Sequence, residues 1–290
     1  MTDVRCALPA GAILGEGPVW DVVDQALYWV DIKGRRLHRY DPASGHDRQW
    51  PVSEDVGSLA VRASGGLVLA MRSGFHFFDV DTGQTRRMVA PEADRPENRF
   101  NDGKTDRQGR FWAGSMHDPE TKPTGALYRL DTDLTCHRMV DGIVCSNALC
   151  WSPDGRTMYH TDSPARIVWA WECDPASGDV ANRRVFARLA EDDGVPDGAT
   201  VDAEGFVWLA HWNGWRVTRF DPDGRVARVM RVPVQRPTCP AFGGAGLDVL
   251  YVTSASIHLS DEERARQPWA GGLLALDPGV RGLPQARFAG

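Results

Sequence analysis

Lysine is nearly absent from this chain: of its 33 cationic residues only Lys33, Lys104 and Lys122 are lysines, against 39 acidic residues. That scarcity alone carries no functional reading. The formal charge of −6 leaves no basic footprint for nucleic acid or an anionic membrane, and neither is expected as a partner. No apolar run approaches the roughly 18 residues of a membrane span. The segment from Met1 to Ala10 lacks the charged-then-apolar pattern of a secretory leader, so a cytoplasmic location is expected. Six cysteines are scattered without a C-x-x-C pair, which argues against a zinc knuckle or a redox motif and for buried thiols. No G-x-S-x-G elbow is present, which argues against a serine hydrolase. Long helices are missing too. The one good start, Ser260-Asp261-Glu262-Glu263, is a capping box that Pro268 cuts short.

What the chain has is turns and repeats. Gly (30) and Pro (19) exceed ordinary usage. Short strand-forming segments recur at Leu27 (LYWVD), Leu67 (LVLAM), Phe111 (FWAGS), Met158 (MYHTD), Val207 (VWLAH) and Leu250 (LYVTS), spaced by 40, 44, 47, 49 and 43 residues. Each is preceded by another strand across a turn such as SGG, DRQG, SPDG or DAEG. Each is followed by an alternating strand such as LHRYD, LYRLD or VTRFD. Four antiparallel strands per repeat and six repeats predict an all-β, six-bladed β-propeller filling residues 1–290 as one domain. The terminal segments, Val4 to Leu8 and Ala286 to Ala289, are expected to close the ring and hide sheet edges.

The first strands of propeller blades line the central axis, so residues just before them converge at one mouth. Counting back 10 or 11 residues from each anchor gives Glu16, Gly57, Asn101, Asn147, Asp197 and the Thr238-Cys239 pair. Four of these carry amide or carboxylate oxygens. Converging carboxylates repel unless a cation neutralises them, and hard oxygen donors favour Ca²⁺, Mg²⁺ or Mn²⁺ over a structural zinc site. Asn101-Asp102-Gly103 and Asp197-Gly198 also read as simple turns. Glu16-Gly17-Pro18 does not, because Glu is not a turn former.

These residues carry a resemblance. LGEGPVW at Leu14, YWVDI at Tyr28, NRFNDGKTDRQGRFWAGSM at Asn98, SNALCWSPDG at Ser146 and PDGATVDAEGFVW at Pro196 resemble the SMP-30/gluconolactonase family, which includes regucalcin and bacterial sugar lactonases. The resemblance implies one divalent metal (Ca²⁺, Mn²⁺, Mg²⁺, Zn²⁺ or Fe²⁺) held by Glu16, Asn147 and Asp197. Asp197 is also implied as general base, and Arg99 and Asn101 as substrate contacts. Where animal members carry a glutamate after the segment matching Gly114-Ser115-Met116, this chain has His117 and Asp118, then Pro119. His117 and Asp118 are therefore expected to contact substrate in its place, and a pentonolactone is preferred among xylono-, arabino-, galactono- and gluconolactone. The expected reaction is hydrolysis of an aldonolactone by a monomer or weak homo-oligomer. Three other readings stand beside it. One is a regucalcin-like calcium-binding regulator, and one is a docking scaffold. The third is a paraoxonase-like esterase using His117, His160 and His211.

Overall fold

The computed structural model describes residues 4–290, and these form six four-stranded antiparallel sheets arranged as a six-bladed β-propeller. The innermost strands are Gly15–Asp21, Val56–Val61, Asn98–Thr105, Ser146–Trp151, Val195–Val201 and Pro237–Gly243. They are buried along almost their whole length, whereas outer strands such as Thr85–Val89 and Val226–Arg231 are mostly exposed. Burial therefore falls from axis to rim, because the outermost strand of each blade borders solvent. The predicted helix is present as Asp261–Arg266, with Ser260 and Glu263 exchanging the two capping hydrogen bonds.

Turn chemistry recurs between blades. Asp106 accepts the indole N–H of Trp112 at 3.0 Å and the Arg110 guanidinium at 2.6 Å. Asp202 does the same for Trp208 at 2.9 Å and Arg219 at 2.8 Å. Each also accepts backbone N–H groups of its own hairpin, so one buried carboxylate fixes turn, tryptophan and arginine together.

Ring closure differs from the expectation at one end. Val4–Leu8 completes blade six by pairing with Leu273–Leu276, as anticipated. The Ala286 to Ala289 segment adds no blade strand. It crosses the propeller instead, with Phe288 bridging to Arg62 and Ala289 N–H donating to the Gly109 carbonyl. Phe288 is fully buried among Phe77, Phe111 and other apolar side chains of blades two and three. A strand pairing satisfies only one neighbour, whereas this tail packs against several blades at once.

All six inner strands break register at the same place. The irregularities lie between Glu16 and Val19, Val56 and Ser58, Phe100 and Gly103, Asn147 and Cys150, Pro196 and Ala199, and Pro237 and Pro240. Bulges re-aim side chains, and here each falls on the position that the repeat register singles out. Gly57 carries no side chain there because an added Cβ would stand 2.4 Å from the Phe100 carbonyl carbon.

Candidate metal and substrate site

In blades one and four a carboxylate pins the incoming chain two residues before the bulge. Asp31 accepts the N–H groups of Ile13 and Leu14 at 3.0 Å, leading into Glu16. Asp162 accepts those of Val144 and Cys145 at 3.2 and 2.9 Å, leading into Asn147. In blade five His211 holds that place, its Nδ1 lying 2.8 Å from the Asp193 carbonyl. Beside Asn147, Ala148 takes a left-handed φ of +57°, the geometry Gly17 takes at +53° beside Glu16. An alanine held there stores backbone strain next to a candidate ligand.

Glu16, Arg99, Asn101, Asp118, Asn147 and Asp197 all line one cavity of about 660 Å³. Glu16 and Asp197 are buried with no ion-pair partner among the described residues. Burial, then the charge of Asp102, pushes Glu16 up to about 8. Burial, then the charges of Glu16 and Asp102, lifts Asp197 well above the usual carboxylate range. Two such groups cannot both stay ionised unless a cation joins them. Asn147 Oδ1 accepts from Asn101 Nδ2 at 3.0 Å, and its Nδ2 donates to Ser163 Oγ at 2.9 Å, which orients the amide. Among the described residues no three His, Cys, Asp or Glu side chains cluster as a metal site. The donor set is instead two carboxylates and an amide, which fits a hard divalent cation that keeps water ligands.

Arg99 is locked on three sides. Its Nε donates to Asp118 at 2.8 Å, and its Nη1 donates to Asn101 Oδ1 at 2.7 Å and to the Phe100 carbonyl at 3.0 Å. Asp118 in turn accepts Lys33 Nζ at 2.9 Å and the Arg72 guanidinium. Burial opposes its charge, but the Lys33 hydrogen bond and the Arg99 and Arg72 charges prevail, holding its carboxyl well below the usual range. Lys33 also donates to Asp55 at 2.8 Å. A polar chain thus runs Asp55–Lys33–Asp118–Arg99–Asn101–Asn147 across four blades.

His117 is not in this cavity. It is buried behind Asp118, its Nε2 lying 3.4 Å from Glu97 and its Nδ1 accepting from the Thr121 N–H at 3.3 Å. The loop turns there, and Glu120, with φ +55°, enters the cavity rim. A glutamate therefore does stand after Met116, one residue beyond Pro119. Trp212 and His258 line the far wall, whereas Trp215 lies outside it on the surface. His160 and His211 also lie outside: His160 Nε2 shares a 2.8 Å hydrogen bond with Ser146 Oγ. They do not form a reactive pair.

Residues 14–256 match the SMP-30/Gluconolactonase/LRE-like region. The chain belongs to that family. It is 36% identical to the 6-deoxy-6-sulfogluconolactonase of Pseudomonas putida, covering 99% of both chains. It is 40% identical to the L-arabinolactonase of Azospirillum brasilense, over 96% of this chain and 92% of that one. Among solved structures, a calcium-binding protein, regucalcin, from Agrobacterium tumefaciens superposes with a TM-score of 0.95 at 30% identity, covering 99% of this chain and 97% of that one. The motifs that signal SMP-30/gluconolactonase membership hold the inner strands. Lys33, Arg72, Glu120 and His258 escape motif reading because they sit on connecting loops, whose paths the repeat does not specify.

Two of the buried histidines, His160 and His211, carry a stability prediction. Burial pushes His160 and His211 down to about 4, from an ordinary value of 6.5. Each contributes stability fully present above pH 6.5 and lost as pH falls toward 4, because only the unfolded chain binds the proton there. In denaturant titrations from pH 7.5 to 4.5, a His160→Gln chain should lose stability less steeply than the native one, by up to about 1.4 kcal/mol per pH unit. Equal slopes would show that His160 titrates normally in the folded state.

Proposed function

We propose that this protein hydrolyses an uncharged aldonolactone to the open aldonic acid, using one divalent cation held by Glu16, Asn147 and Asp197. The carrying observation is the pair of buried, unpaired carboxylates facing an amide in a sugar-sized cavity. When bound, a divalent cation supplies Lewis acidity toward a carbonyl oxygen and lowers the pKa of water. Arg99 Nη2, which has no protein partner among the described residues, and Asn101 would bind sugar hydroxyls. Both are held in place before substrate arrives, which favours orientation. An Asp197 carboxylate oxygen would take one proton from the attacking water as its oxygen bonds to the lactone carbonyl carbon. Asp197 then returns that proton to the ring oxygen as the ring C–O bond breaks, so the oxygen leaves as a hydroxyl and the carboxylate is restored.

Charge supports an uncharged substrate. The cavity is lined by the carboxylates of Glu16, Asp118, Glu120 and Asp197 against the cations of Lys33 and Arg99. A bound divalent ion brings that sum to about zero, leaving no surplus positive charge for a sulfonate or phosphate. A pentonolactone is the first candidate, and the 40% identity to an L-arabinolactonase supports it. No glutamate is missing from the cavity, since Glu120 stands at its rim. Asp118 would act through Arg99 as much as on substrate.

The test is proton release at fixed pH from chelator-stripped protein, with aldonolactones supplied with and without each divalent ion. Turnover restored by one ion on one sugar is the expected result. Tight ion binding with no turnover above spontaneous hydrolysis would instead favour a calcium-binding role without catalysis.

A further inference from the structure

Two charged side chains on the axis have no place in the mechanism above. Asp102 and Lys104 alternate on the innermost strand of blade three, and both are buried, with exposures of 3% and 6%. Each reaches to a strand that carries a candidate ligand. Asp102 Oδ2 accepts the Leu149 N–H at 2.8 Å, two residues beyond Asn147, within the stretch the bulge leaves unpaired. Lys104 Nζ donates to the Ala199 carbonyl at 2.6 Å, two residues beyond Asp197 and on the far side of the axis.

Their hydrogen bonding is incomplete. Among the described residues Asp102 Oδ1 has no partner, nor does Ser58 Oγ, although both are buried. An added Cβ on Gly103 would stand 2.4 Å from Ser58 Oγ, so these orphan atoms flank the same short segment. Lys104 Nζ makes no ion pair within 4.0 Å among the described residues, leaving donors unused. Buried polar atoms left without protein partners suit ordered water. The hydrogen bonds of Asp102 and Lys104 place both groups two residues along the axis from Asn147 and Asp197, so their charges reach the cation site through space.

We propose that Asp102 and Lys104 are a fixed charge couple two residues further along the axis than the cation site, and that they set its affinity, Asp102 strengthening and Lys104 weakening divalent-ion binding. This rests on the divalent-cation reading above. Both are positioning residues, since neither touches the substrate cavity. A purely structural role would make every substitution weaken the site. A charge couple makes the two substitutions act in opposite directions.

The experiment is calorimetric titration of the chelator-stripped full chain with Ca²⁺, and separately Mn²⁺, at one pH and ionic strength. Asp102→Asn keeps an acceptor for the Leu149 N–H and removes only charge, so it should weaken binding by about tenfold, the scale of one unit charge several ångströms away at intermediate dielectric. Lys104→Met should tighten it by about tenfold, and the double variant should return to near the native value. Equal affinities in all four proteins, or weakening by both single changes, would overturn the proposal. If Lys104→Met does not fold, Asp102→Asn decides: tenfold weaker binding with an undiminished melting temperature supports the couple, and native affinity overturns it. If the native chain binds neither ion, the cation reading fails and this inference with it. If the native chain binds and the variants match it, only this inference fails.

Discussion

Asp197→Asn should abolish turnover, by a factor of about 10³ or more, while raising the melting temperature of the metal-free protein. The first effect follows from removing a proton acceptor, worth roughly 10² to 10⁴ in rate, together with one carboxylate of the cation site. The second follows from burial. Asp197 is 5% exposed and is pushed toward its neutral form by burial and by Glu16 and Asp102. An isosteric amide removes that repulsion without opening a cavity. Gain of stability with loss of function marks a residue kept for chemistry at a folding cost. Kinetics with saturating divalent ion and thermal unfolding in chelator check the two halves separately. Substantial residual activity would remove Asp197 from the role of base. A lower melting temperature would mean that its carboxylate is structural.

Phe288→Ala should destabilise the whole protein by about 3–5 kcal/mol, an effect usually reserved for central core residues. Phe288 lies two residues from the end of the sequence, yet it is fully buried among blades two and three. The neighbouring Arg287 adds a second tie. Its Nε donates to Asp21 Oδ1 at 3.0 Å, and its guanidinium also pairs with Asp21 Oδ2. Asp21 closes blade one's inner strand and is buried, the place that Asp106 and Asp202 occupy in blades three and five. Those two find an arginine within their own blade, and Asp21 borrows one from the tail. Removing the tail would therefore leave an uncompensated buried carboxylate as well as a void, each costing several kcal/mol. Denaturant unfolding of Phe288→Ala measures the first contribution. A loss below about 1 kcal/mol would show that the tail rests on the propeller without holding it.

The two predictions differ in how far the sequence anticipates them. Asp197 is found by counting, because a strand repeat places equivalent residues at equivalent distances from a common axis. Phe288 is not, because nothing in the GLPQARFAG tail after the last repeat says which blades it will cross. The same contrast holds inside the cavity. Glu16, Asn101, Asn147 and Asp197 stand at one register, and the bulges that aim them fall on that register too. His117 ends a repeat strand and Glu120 lies in the loop beyond it, whose direction depends on Asp118 being held by Lys33, Arg72 and Arg99. Reading along the chain favoured His117, and packing turned it toward Glu97 and Thr121.

The lysines show the limit most clearly. Their rarity carries no message in the sequence, yet Lys33 bridges Asp55 to Asp118 at the cavity wall and Lys104 lies buried on the axis. By itself, the sequence determined the number of blades, the strand order within each, and the inner-strand residues that meet at the mouth. These follow from local periodicity, which a repeating fold turns into symmetry. The tertiary structure alone decided which loop residues enter the cavity, which charges share the axis, and where the C-terminal tail is anchored. Those depend on contacts between side chains 19 to 266 residues apart. At such separations no local pattern constrains partners, and only burial, charge pairing and hydrogen-bond satisfaction select among them.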